Sequence, residues 1–200
     1  TLCAYRSNVS HIVRCIEQLL ITVGDKRRGI ALQFNNRIPL SRGLGSSSAA
    51  IVSGLYAANC LVDNPLSKAE LLSLATSIEG HPDNVAPALF GGCTIAYMEG
   101  GKAKCLVYQP KQALILVAAV PNFHLSTKRA REALPAAVPF GDAVYNASRS
   151  ALLVGALLSG ESAFLADALG DKLHQPYRAP LIPGMEAVFA AAKGAGADGA

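Results

Sequence analysis

Pro39-Leu40-Ser41-Arg42-Gly43-Leu44-Gly45-Ser46-Ser47-Ser48-Ala49 is a glycine-serine turn feeding an uncharged helical stretch, and its residue types suit the binding of phosphate. Gly43 and Gly45 can take backbone angles closed to other residues, so that successive N–H groups converge on one anion. The helix behind them adds its first-turn amides and its positive dipole end, worth ~0.3–1 kcal/mol per exposed charge. Ser46, Ser47 and Ser48 bring hydroxyls for capping, for phosphate or for a magnesium ion. A second stretch, Glu79-Gly80-His81-Pro82-Asp83-Asn84, holds side chains able to bind metal, protons or substrate on a loop stiffened by Pro82.

Better-known motifs compete for the first stretch. A Walker A loop needs Gly-Lys-Ser/Thr after four spacers, and no lysine lies between Arg28 and Lys68, so that reading fails. A dinucleotide fingerprint needs glycine where Ser48 stands; Asp63, near the distance of its acidic residue, lies in an Asp-Asn-Pro turn. Gly45-Ser46-Ser47-Ser48-Ala49 approximates a nucleophile elbow with alanine for the last glycine, and His81, His124 and His174 follow it. A serine hydrolase therefore stays open, as does a serine-capped buried helix without a ligand. For the second stretch the plainer reading is a solvated turn, with Glu79 a mere helix-end charge.

The elements that must position these residues follow from periodicity. His11 to Leu20 has the apolar spacing of an amphipathic helix, ended by Gly24. Alternation at Ile30, Leu32 and Phe34 predicts a strand leading to Pro39. Ser46 to Val62 contains no charged residue, and its apolar side chains surround the predicted helix, which must be buried. Ser67 and Glu70 form a capping box for a helix running to about Ile78. Strands follow near Cys93–Met98 and Ala103–Tyr108 as a hairpin, with another at Ala113–Val120. Helices are predicted at Thr127–Leu134, Asp142–Leu158, Ser162–Leu169 and Met185–Lys193. Helices and strands mix without strict alternation, which predicts an α+β fold.

Composition excludes several classes. The longest apolar run, Ala113 to Val120, falls short of the ~18 residues of a membrane span, and Thr1 to Asn8 lacks the apolar core of a signal peptide. Five cysteines, odd in number and without a C-x-x-C pair, read as reduced thiols and place the chain in the cytoplasm. A net charge of +4, split between the short clusters Lys26-Arg27-Arg28 and Lys128-Arg129-Ala130-Arg131, gives no stripe for nucleic acid.

The two stretches, together with Leu125-Ser126-Thr127-Lys128-Arg129-Ala130-Arg131 and Asp171-Lys172-Leu173-His174-Gln175-Pro176-Tyr177-Arg178, resemble the homoserine kinases of the GHMP kinase superfamily. The glycine-serine turn specifies the superfamily, whose members also phosphorylate mevalonate, galactose and related alcohols. Glu-Gly-His-Pro-Asp-Asn-Val-Ala-Pro narrows it to homoserine kinase. The resemblance implies a two-domain GHMP fold: an ATP-binding domain like ribosomal protein S5 domain 2 over residues 1–110, and a ferredoxin-like domain over 111–200, with the site between them. It also implies an internal fragment, lacking the first strand and the third glycine-rich motif.

By the same resemblance, residues 39–49 wrap the phosphates of ATP, and Ser47 and Glu79 ligate Mg2+. His81, Asp83 and Asn84 face L-homoserine, with Asn84 near its hydroxyl and Asp83 near its ammonium. Thr127 sits near the transferred group, and Arg131 and Arg178 grip the substrate carboxylate, for which a guanidinium fork suits better than lysine. Asp83 is the only nearby candidate for a base, although the family manages without a dedicated one. Each arginine has the alternative of a plain surface charge. A homodimer is expected from resemblance alone. The alternatives are another small-molecule kinase of the superfamily and a catalytically silent nucleotide-binding module.

Overall fold

A computed structural model describes residues 2–26, 29–40, 42–123 and 125–200, without the side chains of residues 2–8, 127 and 128. The chain divides into two compact units after Tyr108.

The first unit is built on α1 (Leu2–Thr22), which starts well before the predicted His11. Its stripe Ile12, Cys15, Ile16, Leu19 and Leu20 is buried against α2 (Ser46–Leu61). The two helices meet closely at Gly54, where a Cβ would lie 2.9 Å from the carbonyl oxygen of Ile12 and 3.1 Å from Cys15 Cβ. The expectation that α2 is buried all round is corrected: Ile51, Leu55 and Ala58 are buried, whereas Tyr56 and Leu61 are exposed. Absence of charge signalled one very apolar face and an uncharged but exposed back, not two packed faces.

From α2 the chain turns at Asp63 and Asn64, both in the left-handed region, into α3 (Lys68–Glu79). The buried Asn59 fastens this connection by donating to Leu66 O (2.9 Å) and accepting from Leu66 N (3.1 Å). The predicted capping box is present: Ser67 N donates to Glu70 Oε2 (2.8 Å) and Glu70 N to Ser67 Oγ (3.3 Å). Ser67 Oγ, which donates to Glu70 Oε2 (2.7 Å), and then Ser67 N hold the Glu70 carboxyl below its usual pKa. Gly80, left-handed with φ 94°, ends the helix.

A short helix not read from the sequence, α4 (Val85–Phe90), then forms with its Val85 and Ala86 buried. Its Pro87 lies in the first turn, where a missing N–H deprives the helix of nothing. β1 (Cys93–Glu99) and β2 (Lys102–Tyr108) pair antiparallel with Cys93 opposite Tyr108 and Glu99 opposite Lys102. Gly100 and Gly101 turn the hairpin with positive φ at both positions, as a tight two-residue connection requires. Cys15, Leu19, Ile51, Leu55, Leu71, Leu72, Val85 and Ala103 join in one core.

In the second unit, Ser126 caps α5 (Thr127–Glu132) by accepting from Arg129 N at 3.2 Å. α6 (Phe140–Ser159) follows, then a 3-10 turn (Ser162–Phe164) running into α7 (Leu165–Ala168) where one helix was predicted. α8 (Gln175–Arg178) and α9 (Met185–Gly194) complete it. Among the described residues the hairpin is the whole of the sheet, so the strands predicted at residues 30–34 and 113–120 are not paired. Alternation and apolar runs record what a side chain would bury; a strand also needs a ladder partner. Ile115, Leu116 and Val117 are each about nine-tenths exposed. No helix among the described residues is long and apolar enough to cross a membrane.

Candidate functional site

The glycine-serine turn does what its residue types dictate. Gly43 (φ 71°) and Gly45 (φ 69°) are both left-handed, and Gly45 is the residue from which α2 starts. No side chain caps the helix at this position, and its first turn holds no acidic residue. The ladder begins with Ala49 N donating to Gly45 O (2.9 Å), so the amides of Ser46, Ser47 and Ser48 precede it. Ser41 lies outside the described residues; Pro39, Gly43 and Leu44 are exposed, and Leu40, Arg42, Gly45, Ser46, Ser47 and Ala49 are half-buried.

The two predicted stretches converge at the end of α3. Ser48 Oγ donates to Glu79 Oε1 (2.9 Å) and Ser47 Oγ to Glu79 Oε2 (3.2 Å), across about thirty residues of sequence. Ser48 is fully buried and Ser47 half-buried. Ser48, expected to offer its hydroxyl for capping, for phosphate or for magnesium, here braces the carboxylate while Ser47 is the more open of the two. Beneath them lies Cys15, whose thiol burial and the neighbouring Glu79 charge push up to about 11.

Ser47 and Glu79 fit a magnesium ion. Two oxygens bound at right angles to one ion at ~2.1 Å stand about 3.0 Å apart, close to the Ser47–Glu79 separation of 3.2 Å. Among the described residues no three His, Cys, Asp or Glu side chains gather, and magnesium, which keeps water and phosphate oxygens, does not need such a cluster. A cavity of about 330 Å³ opens beside the first turn of α2, with Ile12, Phe34, Asn35, Ser46 and Ala49 in its wall.

Gly80 carries the chain from Glu79 into the His-Pro-Asp-Asn turn. His81 Nδ1 pairs with the Asp83 carboxylate, Asp83 is exposed and Pro82 is buried as the anchor. Asn84 begins α4 through its backbone, with Ala88 N donating to its carbonyl at 3.3 Å, while its exposed side chain makes no capping bond.

The remaining predicted residues belong to the second unit. Thr127 starts α5, but its side chain lies outside the described residues. Arg131 is exposed on the same helix. Arg178 ends α8 and reaches α5, its Nε donating to Ala130 O (3.2 Å), so the chain brings the segments of the two arginines together. Asp171, which the sequence reading gave no role of its own, opens the segment that leads to Arg178. It accepts from Asn146 Nδ2 (2.7 Å), Leu173 N (2.8 Å), His174 N (3.0 Å) and Gln175 N (2.6 Å). Partial burial alone would raise its pKa, but these bonds outweigh it and hold the carboxyl at about 2. An aspartate a few residues before a Gln-Pro pair was the available signal.

Residues 10–92 match the family model for the GHMP kinases N terminal domain. The chain is 46% identical over 184 residues to the homoserine kinase of Moorella thermoacetica, covering 92% of this chain and 62% of that protein. It is 50% identical over 187 residues to that of Gloeobacter violaceus, covering 93% and 62%. In three dimensions it is similar to the crystal structure of homoserine kinase from Cytophaga hutchinsonii, with a TM-score of 0.81 and 31% identity over 94% of this chain and 61% of that one. The chain therefore spans about three fifths of the length of the curated relatives it matches. With a glycine-serine turn braced to a carboxylate and with these likenesses in sequence and fold, residues 10–92 carry a GHMP kinases N terminal domain, and the chain stands beside the homoserine kinases it is similar to.

Proposed function

We propose that this chain carries the phosphoryl-transfer machinery of a homoserine kinase, moving the γ-phosphoryl of ATP to the hydroxyl of L-homoserine to give O-phospho-L-homoserine and ADP. The observation that carries the reading is the bracing of Ser47 and Ser48 onto Glu79 at the uncapped start of α2. A triphosphate tail suits those first-turn amides and the two left-handed glycines. Ser47 and Glu79 would hold Mg2+, which when bound neutralises charge on the β- and γ-phosphates. Positioning accounts for most of the remaining rate.

On the acceptor side, Asn84 orients the homoserine hydroxyl without repelling phosphate, and Asp83, steadied by His81, takes the ammonium. Thr127 is assigned to the transferred group by resemblance. Arg131 and Arg178 take the substrate carboxylate as paired guanidinium forks. Residues up to about 110 are the nucleotide-binding domain and the rest the second domain. The free thiols of Cys15, Cys60, Cys93 and Cys105 accord with a reducing cytoplasm, and threonine biosynthesis and a homodimer go with the family.

A coupled ADP-release assay on the intact protein, offering homoserine, mevalonate and galactose in turn, tests the proposal. Turnover with homoserine alone is expected; preference for another alcohol reassigns the substrate, and ATP binding without turnover leaves a silent module. Asp83→Asn should raise KM for homoserine about 10- to 100-fold with kcat nearly unchanged. A collapse of kcat at saturating homoserine would instead make Asp83 the base.

A further inference from the structure

Arg178 owes its place to a helix of four residues, too short to be stable by its own hydrogen bonds. What holds that helix is a side-chain network. The carboxylate of Asp171 accepts from the backbone amides of Leu173, His174 and Gln175, which lead into α8, and from Asn146 Nδ2 on α6. Asn146 answers by accepting from Lys172 N at 2.8 Å through its Oδ1. The chain can come this close to α6 because the preceding residue is glycine: a Cβ on Gly170 would lie 2.3 Å from the Tyr145 hydroxyl. Lys172 adds an ion pair to Asp142 (3.2 Å) and stands over the Tyr145 ring. At the other end of α8, Arg178 Nε donates to Ala130 O, leaving the two Nη groups as the remaining donors of the guanidinium.

We infer that Asp171 is a positioning residue for amino-acid recognition: by clamping the start of α8 to Asn146 on α6, it fixes the direction of the Arg178 fork. This rests on the proposal that Arg178 binds the substrate carboxylate. Both Asp171 oxygens are engaged by Asn146 and the three backbone amides. Its effect reaches the reaction only through Arg178, and so it bears on homoserine capture and not on ATP or on the transfer step.

A double-mutant cycle in the intact kinase reads this out. Arg178→Ala should raise KM for homoserine at least 30-fold. Asp171→Asn, isosteric but unable to accept at both oxygens, should raise it about 10-fold, with KM for ATP and kcat within about twofold of wild type. In the Arg178→Ala background, Asp171→Asn should add less than twofold. Should Asp171→Asn not fold, Asn146→Ala, which leaves the three backbone amides capped, takes its place in the cycle with about a threefold effect. A merely structural role lowers kcat and disturbs both substrates alike, and overturns the inference. So does an Asp171 effect that persists undiminished without Arg178, or no Asp171 effect where Arg178→Ala has a large one. If Arg178→Ala leaves KM for homoserine unchanged, the carboxylate reading falls first and takes the inference with it.

Discussion

The two units keep their functional side chains in place by opposite means. In the first, Glu79 and the serines stand on helices sunk in a continuous apolar core, with Leu19, Ile51, Leu55, Leu71 and Val85 almost wholly buried. In the second, the buried apolar side chains among the described residues are Ala156, Leu165 and Ala168, and Arg178 is held by the polar bonds of Asp171. Apolar packing is non-directional and tolerant of pH, whereas hydrogen bonds to a carboxylate are directional and depend on its charge. Under the proposed function, the phosphates of ATP would meet the part held by apolar packing and the amino acid the part held by directional polar bonds.

The sharpest way to break the contrast is at the helix crossing. Gly54→Ala forces a methyl against the Ile12 carbonyl oxygen, 2.9 Å away, and backbone cannot yield as a side-chain tip does. It should cost about 1–3 kcal/mol despite the better helix propensity of alanine, seen as a lower midpoint in urea. Next comes acid. The Asp171 carboxyl is held at about 2, below its unfolded value, so its stabilisation is present above about pH 4 and is lost as pH falls towards 2. Asp171→Asn should therefore lower stability by about 1–2 kcal/mol at pH 6, with the gap to wild type closing near pH 2 in chemical denaturation. The smallest effect belongs to the second unit's apolar run: Leu116→Ser, at a side chain 89% exposed, should change stability by less than about 0.5 kcal/mol.

Local chemistry was legible in the sequence; partnership was not. Gly45, the capping box of Ser67 and Glu70, and the Gly100-Gly101 turn each announce an element end through a bond closed within four residues, and the structure has all of them. The segments at 30–34 and 113–120 carry strand patterns but no ladder, because pairing depends on residues far away in the chain. The glycine-serine turn and Glu79 were each visible, yet that Ser48 and not Ser47 makes the shorter bond came only from tertiary packing. The Asn146–Asp171 bond joins residues 25 apart; Asp171 lies in a segment the sequence singles out, but nothing in its own segment marks Asn146 as its partner.

The antiparallel pair α2 and α3 is fastened at both ends: Asn59 grips Leu66 at one, and Glu79 meets Ser47 and Ser48 at the other. Such a frame counts residues. One amino acid inserted between Ser67 and Glu79 would swing the carboxylate by about 100° around its axis, and one deleted would swing it back as far. The interval separating the cap from the acid is consequently as strict a part of the motif as the letters themselves, and length polymorphism has to be sought outside it.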